Sequence, residues 1–210
     1  AKQVAHEIKN PLTPMRLTVQ SFDHNFDQND PEIRSKMHEF CESLIQQIDI
    51  MSEIASAFSN FAQMPSENKE KLNVVEEVKK SLDIFHESYI SYQPEKHEII
   101  TKVDKIQLTR IVTNLVTNAI HALHKCEDPY IKVRVFEKKE NVFIEVEDNG
   151  KGIEKDDTSK IFEPKFTTKS SGMGLGLPMV KNIVEAYNGQ ITFVSEVNEK
   201  TTFTVSLPKE

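Results

Sequence analysis

Glycine is scarce in this 210-residue chain, and its placement says more than its number. Of six glycines, none occurs in the first 149 residues. Any glycine-lined ligand loop must therefore lie in the last third of the chain. Tryptophan is absent and cysteine occurs only twice, at Cys41 and Cys126. Two thiols so far apart, without metal-like spacing, exclude a disulfide scaffold and read as reduced structural residues compatible with cytoplasm. No run of 18 apolar residues occurs, so no segment is built to span a bilayer. Excess positive charge is missing too: 26 Lys+Arg against 33 Asp+Glu give a net charge of -7. That is the opposite of the basic face a nucleic-acid binder needs. The chain starts inside a helical pattern at Ala1 without an initiator methionine, and is expected to be a fragment of a longer protein.

What is present is enough apolar content, 38%, for a real core. Val4, Ile8, Leu12, Met15, Val19, Phe22 and Phe26 step by three or four, which predicts an amphipathic helix over Val4 to Phe26. His6 lies about 200° from Val4 at helical pitch, on the face turned from that stripe. Asn10 shares its face, one turn on. Pro11 and Pro14 fall inside the ladder, and Pro11 leaves the Glu7 carbonyl without its helical donor, so a bend beside His6 is expected. This octapeptide is open to two readings, a solvated surface histidine or a reactive site. Asp30-Pro31 marks the start of a second helix, with Asp30 as N-cap. Its stripe (Ile33, Met37, Phe40, Leu44, Ile48, Met51, Ala55, Phe58, Phe61, with Ile45, Ile50 and Ile54) is wider than one partner helix covers. Two such hairpins paired as a dimeric four-helix bundle would bury it, and docking onto the C-terminal part is the alternative.

Residues 1–64 thus read as a helical hairpin, 65–71 as a polar linker, and 72–210 as a mixed domain. Asn73 is expected to cap a helix running to about Ser88, followed by a strand over Ile99–Val103 and a helix over Lys105–Lys125. A β-hairpin (Tyr130–Phe136 with Val142–Val146), a helix over Gly176–Tyr187 and a closing strand pair (Gln190–Val197 with Thr202–Leu207) complete it. The fold class is an α/β two-layer sandwich with mainly antiparallel strands.

Five glycines sit in two stretches, Gly150 and Gly152, then Gly172, Gly174 and Gly176. Gly189, between helix and strand, reads as an ordinary C-cap. Asp148 stands where a strand gives way to the first loop, which by itself could be only a turn; a carboxylate there can accept a hydrogen bond from a ligand amine. The second stretch opens onto a helix, whose unpaired N–H groups and positive dipole end suit phosphate. It is neither a Rossmann nor a P-loop pattern. Asn114 and Asn118 share a face of the helix between, as buried hydrogen-bonding groups or as hard oxygen donors for Mg²⁺.

Together these segments resemble the catalytic core of bacterial two-component sensor histidine kinases. His6-Glu7-Ile8-Lys9-Asn10-Pro11 resembles the H-box, Asn114–Ala119 the N-box, Asp148-Asn149-Gly150-Lys151-Gly152 the first glycine box, Ile161–Phe166 the F-box, and Gly172–Leu177 the second glycine box. Pro11-Leu12-Thr13-Pro14 is similar to the nitrogen-regulation subgroup, of NtrB and NtrY type. The resemblance implies a dimerising phosphoacceptor hairpin followed by an ATP-binding domain of the gyrase, Hsp90 and MutL type. It implies that Asp148 holds the adenine amino group with Gly152 near the base and Thr201 supporting, that Asn118 binds Mg²⁺, and that Asn114 lies near the phosphates. Phe162 to Lys169, with Thr167 and Thr168, would form a lid, and Gly174 and Gly176 would line the triphosphate. His121, Lys125, Gly150, Ile153, Gly172, Leu175 and Leu177 complete the nucleotide-binding set. Two positions depart from the pattern: Lys200 stands where glycine is frequent, so its turn is expected to differ, and His121 where a basic or aromatic residue is common.

The implied reaction is transfer of the γ-phosphoryl group of ATP to His6, with Glu7 as base or orienter of the ring and with Lys165, Lys169 and the helix dipole neutralising charge. Phospho-His6 would then donate to an aspartate of a response-regulator receiver domain, and Asn10 would support dephosphorylation of that regulator. The fragment would be cytoplasmic, its full-length protein compatible with an inner-membrane anchor. The alternatives are a dimeric ATPase switch without phosphohistidine chemistry and a non-enzymatic adaptor.

Overall fold

The computed structural model describes residues 2–27, 30–62, 68–123, 126–163 and 174–209, and only the backbone of residues 2–10, 49–50 and 52–62. The chain divides into two compact units, the helices of Ala1–Ala62 and the elements that follow.

The first unit is a hairpin of α1 (Lys2–Asn25) and α2 (Ile33–Ala62). α1 runs through both Pro11 and Pro14. Asp30 works as expected at the entry to α2: its Oδ1 accepts the Glu32 N–H at 2.8 Å, and Lys36 Nζ sits 2.6 Å from Oδ2. These contacts hold its carboxyl below the usual range, the Lys36 hydrogen bond most of all. The two helices meet where Phe22 stacks on Phe40, ring centroids 4.3 Å apart. Stripe residues Leu12 and Val19 nevertheless remain 45% and 46% exposed, and Ile45 and Ile48 of α2 58% and 50%. One hairpin does not cover its own apolar faces.

The second unit has β1 (Glu70–Asn73), α3 (Val74–Leu82), β2 (Ile90–Pro94), β3 (Ile100–Val103), α4 (Lys105–Ala122), β4 (Ile131–Lys138), β5 (Asn141–Asp148), α5 (Gly176–Ala186), β6 (Gln190–Glu196) and β7 (Lys200–Pro208). A five-stranded sheet runs in the order β2-β4-β5-β7-β6, with β1 and β3 forming a separate pair. Strict alternation builds one buried face: Ile131, Val133 and Val135, then Val142, Ile144 and Val146, then Phe203, Val205 and Leu207. α4 packs on β4 and β5, and α5 on β6 and β7. Leu108, Ile111, Val112, Leu115 and Val116 of α4 are fully buried in that layer. The other face carries Lys132–Glu147 and Arg134–Glu145 ion pairs, so the domain has two layers.

Several boundaries differ from the sequence expectation. β1 takes in Glu70 and Lys71, expected as linker; they pair with Val103 and Lys102, a long-range partnership that local polarity hides. β2 was not anticipated, and it pairs parallel to β4, which makes the sheet mixed. Asn73 does cap α3, accepting the Val75 N–H at 3.2 Å, but the helix stops at Leu82 rather than Ser88. Asp83, a poor helix former, ends it, and Ile84 is left 61% exposed. Gly189 is not the left-handed residue after α5. Asn188 is, at φ 54°, and Gly189 is needed because a Cβ there would lie 2.3 Å from the Ser206 carbonyl oxygen.

Candidate active site

The alternation that buries Val142, Ile144 and Val146 also buries Asp148, the last residue of β5, which is 2% exposed. Its cross-strand partner is Thr201, 3% exposed, so the two side chains share the inner face. The Asp148 carboxylate accepts the Gly150 N–H at 2.9 Å. Burial pushes its carboxyl up to about 6, the Gly150 N–H works the other way, and the negative charge of Glu147 adds to the rise. A desolvated carboxylate with spare acceptor capacity suits a neutral N–H donor such as an aromatic amine. Should that donor be the amine of an adenine nucleotide, as the resemblance implies, its affinity is expected to be full above pH 7 and to fall as pH drops below about 6, by up to tenfold per unit, because only the charged form is a pure acceptor. Titration calorimetry with ADP between pH 5 and 8 checks this; a flat profile would mean Asp148 does not meet the base.

The loop after Asp148 is pinned from two sides. Lys151 N–H donates to the Ala122 carbonyl at 3.1 Å, and a Cβ on Gly150 would lie 2.6 Å from that same backbone. Gly152 has φ +71°, and a Cβ there would come within 2.5 Å of the Glu196 carbonyl oxygen. The Asn198 N–H donates to the Lys151 carbonyl at 2.9 Å, and the Ile153 N–H to Ser195 Oγ at 2.9 Å. Both glycines are thus required by close approach, but to the protein's own backbone. The turn preceding Thr201 is made without glycine at 200: Asn198, at φ 59°, supplies the left-handed residue and Lys200 begins β7.

The second cluster forms where α4 meets the start of α5. A Cβ on Gly176 would lie 2.9 Å from Asn114 Oδ1 and 3.9 Å from Asn118 Nδ2, so the two asparagines and this glycine are neighbours. Asn114 donates to the Arg110 carbonyl at 2.8 Å. Gly174 is left-handed at φ +63°, and Leu175 enters α5 with no side-chain cap; Pro178 has no N–H, so Gly176 and Leu177 carry the first-turn amides that an anion there would meet. Leu177 packs against the core, and His121 is exposed on α4. Asn118 precedes Ala122 by one turn, about 6 Å of helix, so α4 joins the asparagine cluster to the Asp148 loop. Phe162 meets Phe193 edge-on at 6.0 Å, and Lys181 Nζ lies 5.9 Å from its ring.

Lys125, Lys165, Thr167, Thr168, Lys169 and Gly172 lie outside the described residues. His6, Glu7 and Asn10 are on α1, described by backbone alone. Sequence reasoning missed Ser195, Asn198 and Ala122, which hold the loop; a serine at a strand end and a helix alanine carry no distinguishing local signal.

Residues 103–210 match the family model described as histidine kinase-, DNA gyrase B-, and HSP90-like ATPase. The chain belongs to that family. The curated relatives that the chain matches are sensor histidine kinases, among them NtrY-like proteins. It is 31% identical over 195 residues to an NtrY-like sensor histidine kinase of Rickettsia bellii, covering 90% of this chain and 32% of that protein. It is 30% identical over 215 residues to the sensor histidine kinase ZraS of Salmonella typhimurium, covering 99% of this chain and 45% of ZraS. The chain therefore spans 32% and 45% of the length of these relatives. Among solved structures, the catalytic domain of histidine kinase ThkA superposes with a TM-score of 0.60 at 28% identity, over 68% of this chain and 96% of that one. The fold of this ATPase family is an α/β domain with a mixed sheet, as seen here.

Proposed function

We propose that this chain is the core of an ATP-dependent protein-histidine kinase, phosphorylating His6 and passing the group to an aspartate of a response-regulator receiver domain. The observation that carries the reading is the pairing of two clusters along α4. The buried Asp148–Thr201 pair suits an adenine edge, and Asn114, Asn118 and the uncapped start of α5 suit phosphates. Domain limits of 1–64, 65–71 and 72–210 are part of the reading, with β1 beginning inside the linker stretch. The uncovered faces of α1 and α2 support a homodimer through a four-helix bundle.

In this scheme Asp148 accepts the adenine amine and Thr201 supports it. The Gly174–Leu177 backbone and the α5 dipole hold the triphosphate, and Asn118 offers a carboxamide oxygen to Mg²⁺. The fit is one of chemistry and place: Asn118 lies beside Gly176 at the start of α5, and one hard oxygen donor suffices for a cation that keeps water and phosphate oxygens as its other ligands. Mg²⁺, when bound, supplies charge neutralisation on the phosphates. His6 must be neutral to attack with a ring lone pair, which imidazole is for the most part at pH 7.5. Glu7 orients the ring through its other nitrogen. No described helix is long and apolar enough to cross a membrane.

Incubation with γ-labelled ATP, followed by mapping of acid-labile label, tests the proposal. Label on His6 is the expected result. ATP hydrolysis without label would instead favour the ATPase switch. A related expectation concerns Asn10, whose carboxamide cannot act as a base but can orient water for attack on a docked regulator's phospho-aspartate. Asn10→Ala is expected to keep His6 labelling while slowing regulator dephosphorylation about tenfold or more. A fall in thermal stability together with both activities would show a backbone-capping role instead.

A further inference from the structure

The β6–β7 hairpin grips the loop that follows Asp148 at three points, and one side chain takes part in more than one of its contacts. Ser195 Oγ accepts the Ile153 N–H at 2.9 Å, lies 2.8 Å from Thr201 Oγ1, and lies 3.3 Å from the Lys200 carbonyl oxygen. A serine hydroxyl has one hydrogen to donate and two lone pairs to accept with. Two arrangements satisfy these contacts: Ser195 donates to the Lys200 carbonyl while Thr201 donates to Ser195, or Ser195 donates to Thr201 Oγ1 across the shorter contact. In the second arrangement Thr201 keeps its own hydrogen to donate on the inner face, beside the Asp148 acceptor with which it is in register, and that is the arrangement a base accepting at Thr201 selects.

We propose that Ser195 is a positioning residue for adenine-nucleotide recognition, its hydroxyl clasping the Gly152–Ile153 loop to the β6–β7 hairpin while directing the Thr201 hydrogen toward the base site. The inference rests on the nucleotide reading of Asp148 given above. An acceptor at Asp148 beside a donor at Thr201 is complementary to the adenine edge, where the exocyclic amine donates and the neighbouring ring nitrogen accepts. Guanine presents the reverse order, a carbonyl acceptor beside a ring N–H donor, and meets like with like at both groups. A Thr201 hydroxyl free to rotate would blur that discrimination, because it could turn to accept. Ser195 acts without touching the base: it fixes one hydrogen and one loop.

The test compares the parent chain with Ser195→Ala and Ser195→Thr, the latter keeping the hydroxyl on a residue suited to a strand. ADP and GDP affinities, nucleotide-free melting temperature and hydrogen exchange at the Ile153 amide are measured. Ser195→Ala is expected to exchange Ile153 at least about tenfold faster, to lose about tenfold in ADP affinity and to narrow the ADP-over-GDP preference, with a melting temperature near the parent's. Ser195→Thr is expected to restore all three readouts. Unchanged Ile153 exchange in Ser195→Ala overturns the clasp. Faster exchange with parental ADP affinity and base preference overturns its role in recognition, as does a Ser195→Thr protein no better than Ser195→Ala. A parent chain that binds no ADP sinks the nucleotide reading and recognition by Ser195 with it, while the Ile153 exchange still decides the clasp.

Discussion

His6→Ala is expected to take up no phosphate from γ-labelled ATP while binding ADP and self-associating as the parent does. The loss should be complete rather than partial, because the substitution removes the acceptor nitrogen itself and not a group that assists it. Retained binding follows from separation: His6 is in α1 of the first unit, whereas Asp148, Thr201, Asn114 and Asn118 belong to the second. Retained association follows from the helical pitch, which puts position 6 on the face turned from the Val4–Phe26 stripe. The chain has six other histidines, and His24 and His38 share the hairpin. Label persisting in His6→Ala would move the acceptor to one of these. His38, with Nε2 3.3 Å from Glu42, would be the first to examine.

The scarcity of glycine was the most informative feature of the sequence, though for a reason only partly visible there. Clustered glycines after position 149 correctly marked where backbone must approach something closely. At Gly150, Gly152 and Gly176 that something is Ala122, the Glu196 carbonyl and Asn114, so the loops are tight because they dock onto α4 and the β6–β7 hairpin. The helices and the β4–β5 hairpin were legible because their apolar periods are local and strong. β1 and β2 were not, since each is short, partly polar and formed by pairing across the chain, with Leu72 against Thr101 and Tyr92 against Val133. Pro94 closes β2, where an edge position tolerates a proline. Ser195 was invisible for a similar reason: its role depends on Ile153, 42 residues away, and on Thr201 across a turn.

The organisation of the site also separates what its two ends must do. The Asp148 end is a buried, rigid part of the sheet, where register sets which groups lie side by side. In the proposed reading the Asn114–Asn118 end, a helix face opposite a helix start without a side-chain cap, recognises charge rather than shape. Substitutions at the two ends should therefore fail in different ways.

Asp148→Asn is expected to weaken ADP binding about ten- to hundredfold, the cost of losing a charged acceptor, and at the same time to stabilise the nucleotide-free protein. The second effect follows from the Asp148 carboxyl, raised from 3.8 to about 6 chiefly by burial. A raised carboxyl means that the folded state disfavours the charge, so the parent carries that cost at neutral pH and sheds it as pH falls from about 6 toward 4. The neutral amide carries none, giving the variant an advantage of about 1–3 kcal/mol at pH 7.5 that closes on acidification. Denaturant unfolding of both proteins at pH 7.5 and pH 5 measures this directly. A variant with no advantage at pH 7.5 would show that burial is not what raises the carboxyl, and parental ADP affinity would remove Asp148 from the base site. Asn118→Ala should behave otherwise. It leaves Asp148 and Thr201 untouched, so metal-free ADP binding should stay near the parent's, while Mg²⁺-dependent labelling of His6 is abolished because the metal loses its proposed protein oxygen donor. Mg²⁺ still stimulating labelling of Asn118→Ala as it does the parent would place the metal on other groups.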